Sequence, residues 1–320
     1  MTNMSGTLVL TILQLQSMQL TPTEERYFQI FLVFGTHMLF IYINLTMMFI
    51  LWSRTLFRHV ARYTLFAHML FNDTVLLAIS LILYLLGNFR VLVSRVACAC
   101  MVLVSSGTFT NGPLNLAVMS LERYTAICFP LRHSELATPR RIQQAVVLVW
   151  ALGLVNMLID VCALFLTGPS FFLSPVICSI EQLETAEWQQ EKAKAINVLL
   201  FVVVTAVLIF TYVAIMLEAR SASSSDPRSA QRALNTVLLH VLQLGLSLLS
   251  FLYVVFEALL VKLPLAFFAP LRYINFLVVL VLPRCLSSII YGLRDKAFRA
   301  AFRQHFICSS FRRVGLSTKH

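Results

Sequence analysis

Residues 96–132 read VACACMVLVSSGTFTNGPLNLAVMSLERYTAICFPLR. The stretch opens with two cysteines, Cys98 and Cys100, continues through a mostly apolar window to Arg123, and closes on Glu122-Arg123-Tyr124. From Cys98 to Arg123 is 123 − 98 = 25 residues, about 37 Å of helix at about 1.5 Å per residue, enough to cross a bilayer core of about 30 Å. The cysteines and the charged triplet therefore stand at opposite faces of one membrane span. An acid beside an arginine at such a boundary pairs with it and holds it inward, while Tyr124 anchors the interface.

Similar windows lie on either side. With the quoted stretch they run from Tyr27 to Trp52, Tyr63 to Leu86, Val96 to Arg123, Ile142 to Leu166, Ile196 to Leu217, Leu234 to Leu260 and Tyr273 to Tyr291. They are rich in Leu, Val, Ile and Phe and lack the alternating polar pattern of a membrane barrel, so helices are the reading. The fold class expected is an all-α membrane protein, a seven-transmembrane helix bundle. The composition agrees: 59% of the 320 residues are hydrophobic and 12% charged, and the mean hydropathy is +0.82. Soluble domains carry about 45–50% apolar and about 25% charged residues. Residues 1–26 form a tail, 27–292 the bundle and 293–320 a terminal segment, which leaves no room for a separate catalytic or ligand-capturing domain.

Twenty-five basic against 14 acidic residues give a net charge of +11. In a soluble chain that would suggest nucleic acid; here topology accounts for it. Arg54, Arg58, Arg62, Arg132, Arg140, Arg141, Arg220, Arg228, Arg232, Arg294, Lys296, Arg299, Arg303, Arg312, Arg313 and Lys319 lie on one face, against Arg26, Arg90, Arg95, Lys192, Lys194, Lys262 and Arg272 on the other. The positive-inside rule puts the N-terminus outside and the C-terminus in the cytoplasm of a plasma-membrane protein. Thr7 to Leu15 is apolar but lacks a basic n-region and a cleavage site, and reads as tail rather than signal peptide. Asn3-Met4-Ser5 is a glycosylation sequon outside; the sequons at Asn44 and Asn72 fall inside expected helices, where no transferase reaches.

Past the seventh window, Leu293, Ala297, Phe298, Ala301, Phe302 and Phe306 recur at helical spacing against Arg294, Lys296, Arg299 and Arg303. A short amphipathic eighth helix is expected there, its apolar face in the headgroup boundary and its cations on anionic lipid. Cys308 beyond it is a palmitoylation candidate. Seven cysteines leave at least one unpaired. Cys98, Cys100 and Cys178 face the oxidising exterior; Cys98 to Cys178 is the expected disulfide, with Cys100 the competitor. Cys128, Cys162, Cys285 and Cys308 lie in helices or toward the cytoplasm.

Met119-Ser-Leu-Glu-Arg-Tyr-Thr-Ala-Ile-Cys-Phe-Pro-Leu-Arg132 resembles the M-A-x-D-R-Y-x-A-I-C-x-P-L-x-Y signature of odorant receptors, a branch of the rhodopsin-like G protein-coupled receptors that includes fish-type members. Arg232 to His240 is similar to the K-A-x-x-T-C-x-x-H that opens the sixth span of that family. Tyr212 resembles the tyrosine near the inner end of the fifth span, Asp73 the aspartate of the second, and Ser287 to Lys296 the N-P-I-I-Y-S-L-R-N-K segment. The resemblance implies a receptor for a small molecule that signals to a heterotrimeric G protein, of the olfactory stimulatory type that raises cyclic AMP. On activation Arg123 would leave Glu122 and turn toward Tyr212, Tyr291 would swing inward, and the inner ends of spans five and six, near His240, would part. This is a two-state population shift driven by differential ligand affinity. The alternative is a non-olfactory rhodopsin-like receptor for a lipid or peptide.

Several positions depart from the family pattern. Ser287 and Ser288 replace Asn-Pro, with Pro283 five residues before Ser288; Glu122 replaces aspartate, His133 stands where tyrosine is usual, and spans five and six lack proline. A guanidinium inside a span is costly, and Arg284 in the seventh has Asp73 as its natural partner. In many receptors of this superfamily the corresponding aspartate takes part in holding a sodium ion, and the odorant branch commonly adds a glutamate in the third span, near where this chain has Gly112. The expectation is that Arg284 supplies the cation internally, so that neither a metal nor another cofactor is needed.

Helical projection places Ser105, Ser106, Phe109, Thr110, Asn197, Phe201, Phe251, Leu252, Val255, Tyr273, Phe276, Leu277 and Leu280 in the outer half of the bundle, an apolar lining with a few hydroxyl and amide groups suited to a small, partly hydrophobic odorant. No acid stands in the outer third span, which disfavours an amine; Asp160 and Glu257 are the outer acids that could serve instead. Glu181, Glu184, Glu187 and Glu191 read as a solvated face over the mouth. Tyr273 to Tyr291 contains no lysine, which excludes a retinal Schiff base. Transporters and channels would show inverted repeats, broken helices or several pathway charges. An enzyme would show a metal cluster, nucleophile triad or phosphate loop, and none is present in the sequence.

Overall fold

The computed structural model describes residues 23–58, 60–165, 174–179, 183, 187–223, 242, 245–246, 248–253, 255–260, 262–294 and 297–304. The first five spans are the helices Thr23–Ser53, Ala61–Asn88, Arg95–Cys128, Pro139–Phe165 and Glu187–Ser223. The sixth is helical wherever it is described, and the seventh is composite: a helix Leu265–Ile274, a π-helix Asn275–Val281 and a helix Leu282–Arg294. Pro283 explains the composite. Its ring nitrogen cannot donate, and the chain changes to the wider π pattern just before it, the amide of Leu282 bonding to the carbonyl of Leu277.

Among the described residues five helices are long and apolar enough to cross a membrane. The third span is not one of them. Thr108, Thr110, Asn111, Asn115 and Ser120 lower its hydropathy, and all are buried. This helix packs on spans two, four and five, so its polar face never meets lipid. The fifth helix starts at Glu187 rather than at the expected Ile196. Its extra turns lie outside the apolar window, where Glu191 and Lys194, 2.7 Å apart and three residues apart on the helix surface, support the extension into water.

At the cysteine end two three-residue strands, β1 (Leu92–Ser94) and β2 (Pro175–Ile177), pair antiparallel with Val93 opposite Val176. This small sheet is an addition to the all-helical expectation. Ser94 also caps the third span, its hydroxyl accepting from the amide of Ala97. Cys98 and Cys178 are joined, with Cα atoms 5.3 Å apart, and Cys100, Cys128, Cys162 and Cys285 are free. The disulfide is buried among Val102, Leu103, Leu164, Val176 and Leu183.

At the opposite end Met47, Phe57, Tyr63, Phe66, Met69 and Met119 form an apolar cluster that also takes in Phe298 and Ala301. Residues 297–304 are helical. Part of the face expected to lie in lipid headgroups thus docks on the bundle. Phe298 meets Phe66 edge to face at 5.6 Å, and Arg54 donates to Gln304 across 2.8 Å. Residues 1–22, 166–173, 224–241 and 305–320 lie outside the described residues, and with them Asn3, His240 and Cys308.

Candidate functional site

Glu122 closes the third span, 7% exposed, and its carboxylate is shared. Oε2 lies 3.5 Å from Nε of Arg123, and Oε1 lies 3.4 Å from Nε2 of His133. The histidine that replaces the usual tyrosine therefore sits on the same carboxylate as Arg123, a contact that sequence spacing did not suggest. Tyr124 packs edge to face against Phe129 and against Phe210 of the fifth span, with centroids 5.6 and 5.3 Å away. Tyr212, two residues beyond Phe210, is half-exposed. Tyr291 lies in the helix Leu282–Arg294, its side chain outside the described residues.

The middle of the bundle holds a polar centre. Asp73 and Arg284 are 1% and 4% exposed, and Nη1 of Arg284 lies 3.5 Å from Oδ1 of Asp73. Nη2 donates to the carbonyl of Phe109 at 3.4 Å, and the guanidinium carbon sits 5.8 Å from the centroid of the Phe109 ring. Ser287 and Ser288, which replace Asn-Pro, both donate to the carbonyl of Arg284. A Cβ at Gly112 would overlap the guanidinium. These residues do not fit a sodium ion: beside the carboxylate a cation of the chain is already in place.

Around this centre Asn72 donates to the carbonyl of Thr108 at 2.9 Å and Asn115 to that of Leu65 at 3.4 Å. The sequons at Asn44 and Asn72 are thus buried in the bundle interior. A cavity of about 10 Å³ between spans two, three and four is lined by His68, Asn72, Asn111, Asn115 and Trp150, about the room one water needs.

The residues expected to line a ligand site divide into groups. Phe201 and Phe251 meet edge to face at 5.8 Å, joining spans five and six. Phe109 sits by Arg284, and the hydroxyl of Thr110 donates to the carbonyl of Ser106. Phe276 instead stacks between His37 at 5.8 Å and Tyr84 at 5.4 Å, toward spans one and two. Leu252 and Val255 face outward, Ser105, Asn197, Tyr273 and Leu277 are half-buried, and Leu280 is buried. Asn275 was missed in the sequence: it is 4% exposed and donates to the carbonyl of Tyr253 in span six. Both outer acids carry partners, Asp160 pairing with Lys192 and Glu257 with Arg272 at 3.3 Å. Neither is left over for an amine.

The model of the 7 transmembrane receptor (rhodopsin family) matches residues 43–291, from the first span to Tyr291. The chain belongs to the rhodopsin family of seven-transmembrane receptors. It is thereby a multi-pass membrane receptor and not an enzyme. Its relatives include Odorant receptor 131-2 of Danio rerio, 30% identical over 85% of this chain and 83% of the relative. Olfactory receptor 2M3 of Homo sapiens is 25% identical over 76% and 79%, and Galanin receptor 2a of Danio rerio 28% over 62% and 55%. As a receptor of this family it has the Glu122-Arg123 pair at one end of its third span, the Cys98–Cys178 disulfide at the other, and the Asp73–Arg284 pair between them.

Proposed function

We propose that this receptor is of the odorant type: it binds a small, partly hydrophobic molecule in the outer half of the bundle and activates a heterotrimeric G protein of the olfactory stimulatory class, raising cyclic AMP. The observation that carries this reading is the similarity to an odorant receptor along 85% of the chain. Glu122 and Arg123 act as the switch. Arg123 now rests on Glu122, the arrangement expected without ligand; release of the pair toward Tyr212, with Tyr291 and His240 following, opens the crevice for the G protein. The pairing of Asp160 with Lys192 and of Glu257 with Arg272 supports a ligand without an ammonium group, because an amine would have to compete with a cation of the chain at each acid.

In this reading residues 1–26 are extracellular and glycosylated at Asn3, 27–292 are the receptor domain in the plasma membrane, and 293–320 form the eighth helix and cytoplasmic tail. The excess of basic residues on the Glu122 side supports that orientation. A second reading, a non-olfactory receptor of the same family for a lipid or peptide, has one observation in its favour, the similarity to Galanin receptor 2a over 62% of the chain. The deciding experiment expresses the chain with an olfactory stimulatory G protein and records cyclic AMP against volatile and water-soluble odorants, with Arg123→Ala as control. A response lost in the control supports the odorant reading; silence to both odorant classes together with a peptide response overturns it.

A further inference from the structure

Gly112-Pro113 and Arg284 fit one another in a way that neither explains alone. Glycine is a poor helix former and needs a packing reason to sit mid-helix. The reason here is room: any side chain at 112 would occupy the volume of the Arg284 guanidinium. Pro113 lies inside the same helix and has no amide hydrogen. In a regular helix that hydrogen would be donated to the carbonyl four residues earlier, which is Phe109. That freed carbonyl is the one that accepts from Nη2 of Arg284. The Phe109 ring lies against the same cation, and Asp73 supplies the opposite charge from span two. The π-helix ahead of Pro283 adds one residue to the turn and so re-phases the seventh span just before Arg284.

We infer that Gly112, the Pro113-freed carbonyl of Phe109, and Asp73 form a socket for the guanidinium of Arg284, which serves as a resident cation where related receptors take up sodium. The socket ties spans two, three and seven together. Sodium consequently has no place to bind at Asp73, and the receptor responds to that ion no more than to any other monovalent salt.

The test uses the full-length receptor purified in nanodiscs and needs neither odorant nor G protein, so it stands or falls apart from the odorant reading. Melting is measured in sodium chloride and in N-methylglucamine chloride at equal ionic strength. The wild type is expected to melt at the same temperature in both. Arg284→Ala, with an uncompensated carboxylate and the socket vacated, should melt lower and gain about 2–4 °C in sodium over N-methylglucamine. Gly112→Ala should lower the melting temperature of the wild type but leave Arg284→Ala unchanged, since the two positions share one volume. Sodium-specific stabilisation of the wild type that is lost in Asp73→Asn would overturn the assignment, as would an equal cost of Gly112→Ala in both backgrounds. If Arg284→Ala fails to fold, the wild-type comparison decides: stabilisation by sodium overturns the inference, and its absence supports it.

Discussion

The third and fourth spans are both long helices, of 34 and 27 residues, yet they solve opposite problems. The fourth is mostly apolar, with mean hydropathy 2.2 and 12% of its window buried; Val147, Leu148 and Leu158 all face outward, each more than half exposed. The third buries Thr108, Asn111 and Ser120 almost completely and carries the disulfide, the carbonyl that holds Arg284, and the Glu122 carboxylate proposed as the switch. Hydropathy measures what a helix shows to lipid. A helix surrounded by other helices is released from that constraint, and its hydroxyls bond to the backbone instead, Thr108 to the carbonyl of Val104 and Ser120 to that of Ala117. The chemistry of the receptor collects on the span that looks least like a membrane helix.

Substitutions graded along this contrast should have graded effects. The largest is expected from Asp73→Ala, which strands the buried guanidinium of Arg284 beside the third span. Removing one partner of a buried pair costs about 3–5 kcal/mol, seen as loss of mature receptor at the cell surface and a much lower melting temperature. Wild-type melting would mean that the polar core does not depend on the pair.

Next comes Cys98→Ser. The bond closes a separation of 80 residues, worth about 4 kcal/mol by chain entropy. The fall in melting temperature should match that produced by reducing the wild type, and insensitivity to reductant would show that helix packing alone holds the outer end.

Glu122→Gln keeps the shape but removes the charge shared by Arg123 and His133. Loss of a partly exposed pair of about 1 kcal/mol corresponds to about a fivefold rise in the signalling population, read as basal cyclic AMP at equal surface expression. Unchanged basal signalling would break the view that this end of the third span is the switch. Smallest is Leu148→Val on the exposed face of the fourth span, expected to shift stability by under about 0.5 kcal/mol. A loss several times greater would reveal that this face packs against something other than lipid.

Much of the fold was legible because bilayer thickness sets helix length, and long apolar runs announce themselves. The third span was legible for a different reason: its cysteines and charged triplet stand one membrane thickness apart. The Asp73–Arg284 pair could be expected because charges are rare within spans and seek each other. His133 on Glu122 could not, because ten residues that include a turn lie between them. Nor could the stacking of Phe276 on His37 and Tyr84. Helical projection turns a regular helix, and the π segment Asn275–Val281 changes the phase of the face.

The sequence by itself determined the number of spans, the cysteines available for the disulfide, the place of the Glu122-Arg123-Tyr124 triplet and the scarcity of charge within the bilayer. These follow from periodicity, length and solvation, which act residue by residue. Tertiary structure alone decided that Gly112 is room for a guanidinium, that Pro113 frees the carbonyl it bonds, and that Phe298 docks on the bundle rather than lying wholly in lipid. Each of those depends on which atoms of different helices occupy one volume, and close packing in three dimensions is what settles that.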